Sequence, residues 1–141
     1  MVNITMTLKK INASKYNANF KNINIIFLSN GCDENSVCNQ KEISRKSSPD
    51  SIVDALVIQE NCGATTSYSY KVYIVPNGEN PFNNFVFLSD KTDKLEVSWL
   101  SSKSLSITYD KARIFEYRNF WQSRKVDNSN YIVSINEGLN P

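Results

Sequence analysis

Histidine is absent from all 141 residues, and that lack removes more chemistry than any other feature of the chain. Without an imidazole there is no Ser-His-Asp triad, no Cys-His dyad and no His-ligated metal. Glycine occurs only four times, never spaced as G-x-G-x-x-G, so the sequence carries no phosphate-cradling loop. No apolar run approaches the roughly 20 residues that a membrane-spanning helix needs. Neither sign of charge prevails, since 16 basic residues meet 14 acidic ones. The lysines and arginines are scattered, so nucleic acid is not the expected partner. Cysteine is thin as well, with Cys32, Cys38 and Cys62 the whole supply. These three with Asp33 or Glu34 make a poor zinc set, because structural sites pair cysteines two to four residues apart. The acidic pairs Asp33-Glu34, Asp50-Asp54 and Asp90-Asp93 fall in or beside predicted turns, where acids cap and solubilise. No catalytic residue, cofactor or metal site is expected.

What is present is the pattern of a foldable chain, 40% hydrophobic and 21% charged, long enough for a single domain over 1–141. Asparagine, isoleucine, lysine, serine and tyrosine are plentiful, the usage of an AT-rich gene. Period-two alternation dominates after Ile23. In "KVYIV", Val72 and Ile74 share one side and Tyr73 and Val75 the other; "LEVSWL" and "SLSITY" alternate likewise. Further strands are predicted at "NIIFLS", "VDALVIQE", "NFVFLS", "ARIFEY" and "NYIVSI". Alternation of this kind marks half-buried antiparallel strands, whereas a covered parallel sheet would read as unbroken apolar runs. Short polar connectors separate them: "SSPDS" as a type I turn, "PNGENP", "SDKTDK", "LSSKS" and "TYDKAR". Only 13–20 and 118–125 leave room for a helix. The predicted fold is mainly β, an antiparallel meander of about eight strands forming a sandwich or a curled open sheet. A propeller is excluded by length, since 141 residues supply at most about three blades.

The stretch "ENCGATTSYSY", Glu60 to Tyr70, admits two readings: a nucleophilic thiol with its loop, or a tight turn. Cys62 has no histidine to deprotonate it, and the nearest basic residue in sequence is Lys71, so nothing local lowers its pKa. A structural cysteine is the better fit, with Gly63 supplying an unusual φ and Thr65 or Thr66 bonding local backbone.

From Cys38 to about Phe115 the chain resembles a family of small bacterial proteins of unknown function. The resemblance rests on "CNQKEISRKSSPDS", on "NCGATT" at the end of a strand, and on "VSWLSSKSLSITY". Where the family's turn continues with glycine after Ser-Pro-Asp, this chain has Ser51. The resemblance implies a disulfide between Cys38 and Cys62, closing a loop of about 25 residues at a stabilisation of about 3 kcal/mol in an oxidising compartment. It implies no catalytic role, and many relatives look exported or lipid-anchored. On this reading 1–37 is a divergent amino-terminal segment, 38–117 the family-like β core and 118–141 a carboxy-terminal extension.

Two further features bear on partners. Lysines precede a short apolar run ending in Gly31-Cys32, a faint likeness to a lipoprotein signal. Asn24 interrupts that run, and Ser29 and Asn30 stand where an aliphatic and a small residue belong, so a lipid anchor at Cys32 is disfavoured. "EYRNFWQSRK" interleaves Tyr117, Phe120 and Trp121 with Arg118, Arg124 and Lys125, the residue types that anchor protein interfaces. Tyr68, Tyr70 and Tyr73 form a second candidate surface, and the loop 77–84 lies between the two in sequence. The plainer reading is that these aromatics pack on a sheet while the cations stay in water. With catalysis disfavoured, the expected function is that of a cytoplasmic immunity protein that covers the active site of a cognate toxin. The alternative is a periplasmic or lipid-anchored envelope protein.

Overall fold

The computed structural model describes residues 38–141. The possible helix over 13–20, the predicted strand "NIIFLS" and Cys32 lie outside those residues. Nine strands follow in chain order: β1 (Asn39–Ser47), β2 (Val53–Asn61), β3 (Ser69–Pro76), β4 (Phe85–Asp93), β5 (Glu96–Ser101), β6 (Ser104–Tyr109), β7 (Lys111–Tyr117), β8 (Phe120–Trp121) and β9 (Val133–Leu139). One sheet has the order β1-β2-β3-β4-β7 and the other β5-β6-β9-β8.

The alternation read from the sequence places the core. Val53, Ala55 and Val57 of β2 and Val72 and Ile74 of β3 point the same way. They meet Val97, Leu105, Ile107, Val133 and Ile135 from the second sheet in one buried cluster. Two sheets sharing one core make a sandwich. β2 departs from half-burial, because Val53 to Ile58 are buried on both faces. Its Leu56 and Ile58 join Tyr73 and Val75 in a second apolar cluster on the opposite side, with Phe85 against it.

The sheets are tied at both margins. Trp99 donates its indole N–H to the Lys46 carbonyl at 2.8 Å, and the Lys46 ammonium donates to the Val97 carbonyl at 2.8 Å. On the far side the Tyr117 hydroxyl donates to the Ile135 carbonyl. Tyr131 reaches from the β8–β9 connection to the Ser-Pro-Asp turn, its hydroxyl 2.7 Å from both Asp50 Oδ2 and the Ser102 carbonyl. In that turn the Ser48 hydroxyl donates to Asp50 Oδ1 at 2.6 Å, and Ser51 sits at φ 59°, the left-handed region. A serine therefore occupies a conformation that glycine adopts at lower cost.

The structure corrects the sequence reading in five places. β1, "NQKEISRKS", is a strand that alternation does not reveal, because it is polar and mostly exposed and takes its order from pairing with β2. "SDKTDK" is no connector: β4 runs on to Asp93 through a bulge with Lys91 at φ 49°, held by the Arg113–Asp90 ion pair and the Ser89–Thr92 hydroxyl contact. Residues 118–125 form no helix; Phe120–Trp121 pair with β9, and the helical content of the described residues is one 3-10 turn at Asp127–Ser129. The sheets are not wholly antiparallel, since β9 lies parallel to β6. β9 also begins at Val133 rather than Asn130, and it lies between β6 and β8 with Val133 and Ile135 in the core.

Candidate functional site

A concavity among the described residues arises from a mismatch of strand lengths. Pairing between β3 and β4 stops at Tyr73 opposite Phe85, so Ile74, Val75 and Pro76 have no residue facing them in β4. The loop 77–84 bows outward to reach β4, and the chain leaving β7 turns back through Arg118 and Asn119 into β8. Between these walls lies a cleft of about 780 Å³, within the range of ligand-sized sites, about 300–1,000 Å³.

Both walls are positioned by specific contacts. Arg118 N–H donates to the Val86 carbonyl at 2.8 Å, and Ile135 N–H donates to the Asn119 carbonyl at 2.8 Å, fixing the β7–β8 wall. The stem of the opposite loop is held by Asp54, whose side chain is almost wholly buried. That carboxylate accepts from Gly78 N–H at 2.9 Å, Asn77 Nδ2 at 2.8 Å, the Ser47 hydroxyl at 2.7 Å and Arg45 Nη1 at 3.1 Å. Burial works against its charge, but these four donors together hold its pKa below the ordinary aspartate value. Arg45 also donates to the Glu79 carbonyl at 3.1 Å. Gly78 sits at φ 79°, where a side chain would be strained.

Inside the cleft Ile74, Val75 and Val86 are buried, while Phe82 is 82% and Phe120 52% exposed. Asn80, Asn84, Asn119 and Gln122 also line it, and their side-chain amides bond no other described residue. Glu79 and Lys125 bridge the two walls at 2.9 Å. The one carboxylate of the lining is thus ion-paired, and Arg118 pairs with Glu116 at 3.0 Å just outside. Such a lining can hold a ligand by contact and hydrogen bonding.

Of the residues singled out in the sequence, the structure gathers Tyr73, Tyr117, Arg118, Phe120 and Trp121 around this one cleft. Tyr73 and Trp121 are only 8% exposed and serve mainly as walls; Arg124 is exposed but is not part of the lining. Tyr68 and Tyr70 lie apart, in a shallow depression with Lys91, Asp93 and Lys111. The Tyr70 hydroxyl accepts from Gln59 at 2.9 Å, which ties it down as a cross-strand filler. Sequence reasoning did not single out Phe82, although a lone phenylalanine between Pro81 and Asn83-Asn84 in a polar loop is its available signal.

Cys38 and Cys62 are bonded to each other, with Cα atoms 4.2 Å apart, directly beyond the Asn39–Asn61 pair of β1 and β2. Glu60 lies beside them, its carboxylate oxygen within 4.8 Å of both sulfurs. Bonded to each other, the two sulfurs are not thiolates, the form that attacks or ligates. Glu60 is itself engaged by Lys71 at 2.8 Å and Gln40 at 2.7 Å. In the turn, Gly63 has φ 141°, and the Thr66 hydroxyl donates to its carbonyl at 3.0 Å.

The chain matches no protein-family model, no curated protein and no solved structure.

Proposed function

We propose that this chain is a non-catalytic binding protein, an immunity protein that neutralises a cognate toxin by covering its active site. The observation that carries the reading is the cleft, where Phe82 and Phe120 stand exposed on two braced walls beside amides that bond no other described residue. Exposed rings next to arginine are the composition of interface anchors, and an interface of standard size needs about 800 Å² from each partner. The near-neutral net charge of +2 fits recognition by shape and contact rather than by a strong steering field. An immunity gene directly follows its toxin gene, so the test is co-expression with the product of the preceding gene. Restored growth that is lost when Phe82 and Phe120 are both replaced by alanine supports the reading. A harmless neighbour, or protection untouched by that double change, counts against it.

A second reading, an exported envelope protein, is favoured by the Cys38–Cys62 bond, since disulfides persist in oxidising compartments. Intact mass of the natively expressed protein separates the two. A chain with free thiols fits the cytoplasmic reading, whereas loss of the residues before Cys32 with a lipid-sized addition fits the exported one.

A further inference from the structure

We infer that Asn77-Gly78 is a site of spontaneous deamidation, held latent by Asp54, and that its conversion releases the 77–84 wall of the cleft. An asparagine followed by glycine is the pair most prone to this change, because glycine has no side chain to shield its nitrogen from the asparagine amide carbon. Both residues are exposed, so the water that the reaction consumes has access. The Gly78 nitrogen gives up its proton and bonds to Asn77 Cγ. The bond from Cγ to Nδ2 breaks, and that nitrogen leaves as ammonia with a proton equivalent to the one Gly78 gave up. Water then opens the five-membered imide at either carbonyl, leaving aspartate or isoaspartate.

Three features of the fold oppose the first step. Glu79 N–H donates to the Pro76 carbonyl at 3.0 Å, closing a turn with Gly78 at φ 79° and Asn77 outside the left-handed region, the type II pattern. Such a turn sets ψ of its first central residue at about +120°, which points the Gly78 nitrogen away from the Asn77 side chain. Asn77 Nδ2 donates to Asp54 Oδ1 at 2.8 Å and to the Ser47 hydroxyl at 3.3 Å, which holds the amide in place. Gly78 N–H donates to Asp54 Oδ2 at 2.9 Å, so the proton that must leave is bound to a carboxylate whose charge opposes an amide anion. One carboxylate thus holds both nitrogens that the reaction has to move. Conversion reverses its role. A donor at 77 becomes a second acid beside an Asp54 side chain that is only 3% exposed, and like charges meet where a hydrogen bond was. Isoaspartate also lengthens the main chain within the turn. The stem of 77–84, which carries Phe82 into the cleft, loses its anchor.

The test is ageing of the full chain, disulfide intact, at mildly alkaline pH, read by tandem mass spectrometry of the tryptic peptide from Val72 to Lys91. Peptide-level readout is needed because a second Asn-Gly pair, Asn30-Gly31, lies outside the described residues. The expected result is conversion at Asn77 at least about tenfold slower in the folded protein than in the same protein held in urea, the slowing being set by local opening. Asp54→Asn, with its fold verified by circular dichroism, should lose most of that protection. Arg45→Gln, which weakens the same clamp from the surface, should raise the rate in smaller measure and covers the case in which Asp54→Asn does not fold. Asn77→Asp, which installs the product directly, should have a lower urea midpoint and faster proteolysis within 77–84 than Asn77→Ala, which removes the donor without adding charge. Equal rates in the folded and urea-held protein, or a rate in the clamp variants no faster than in the parent, would overturn the latent site. An Asn77→Asp protein as stable as Asn77→Ala would overturn the release of the wall. None of these outcomes depends on a partner, so the site stands or falls apart from the binding-protein reading.

Discussion

Ser51 is the residue where conformation and identity disagree most plainly. A side chain at φ 59° costs about 1 kcal/mol or more over glycine, part of which glycine returns through its freer unfolded chain. Ser51→Gly is therefore expected to raise stability by about 0.5–1 kcal/mol, read as a higher urea midpoint at unchanged slope. Cys38 and Cys62 act at the same scale. Breaking their bond releases a loop whose ends are 24 residues apart. Cys38→Ser with Cys62→Ser should lower stability by about 3 kcal/mol, and reducing the parent protein should reproduce the loss. A reductant that shifts the double variant as much as the parent would show that the bond is not the cause.

Strands were legible where two-fold alternation of apolar residues survives, and illegible where neighbours impose order. β6, "SLSITY", is found as predicted because Leu105, Ile107 and Tyr109 fall on one buried face. β1 shows no such pattern; what makes it a strand is the ladder that β2 offers and the cross-strand bond at its start. The cleft was half legible. Tyr117, Arg118, Phe120 and Trp121 stood out by composition, but their meeting with Phe82 depends on β4 starting opposite Tyr73 and leaving the last three residues of β3 unpaired on that side, a register fact invisible in the sequence. The tie between β1 and β5 is likewise an element-scale feature, with Lys46 and Trp99 each bonding the other's strand. Trp99→Phe should cost about 1 kcal/mol by removing one hydrogen bond. Combined with Lys46→Met it should cost less than the two single losses added, because both act on one junction, and thermal unfolding of the four proteins measures that coupling. Strict additivity would mean that the two bonds brace the margin independently.

Over the whole molecule, ionisation sets both limits of the pH range. Asp54 is buried but bonded by four donors, and Glu60 is half-buried but paired with Lys71; in both the partners outweigh desolvation and lower the pKa. Their stabilisation is fully present above the ordinary aspartate and glutamate values of 3.8 and 4.5, and is lost as pH falls through the lower folded-state values. At the alkaline end burial, reinforced by Glu137 and Asp50 respectively, pushes Tyr109 and Tyr131 up to about 12. A raised value contributes stability below the ordinary tyrosine value of 10, and this is lost as pH rises towards 12. Stability should therefore form a plateau from about pH 5 to about pH 10. Tyrosinate absorbance should show two residues ionising last, together with unfolding; early ionisation of all tyrosines in a still-folded protein would contradict the placement of Tyr109 and Tyr131.

The parallel pairing of β6 with β9 also governs the order in which the molecule can assemble during translation. Every strand of the first sheet precedes β8 and β9 in the chain, so that sheet is complete in sequence by Tyr117. The second sheet is not: β9 lies between β6 and β8 and is synthesised after both. In a chain that lacks β9, the inward faces of β5 and β6 have no central partner, and Leu105 and Ile107 lose the strand they pair beside. Termination between Tyr117 and Val133 should thus yield not a shortened protein but a one-sheet intermediate with half a core, a natural substrate for chaperones and proteases.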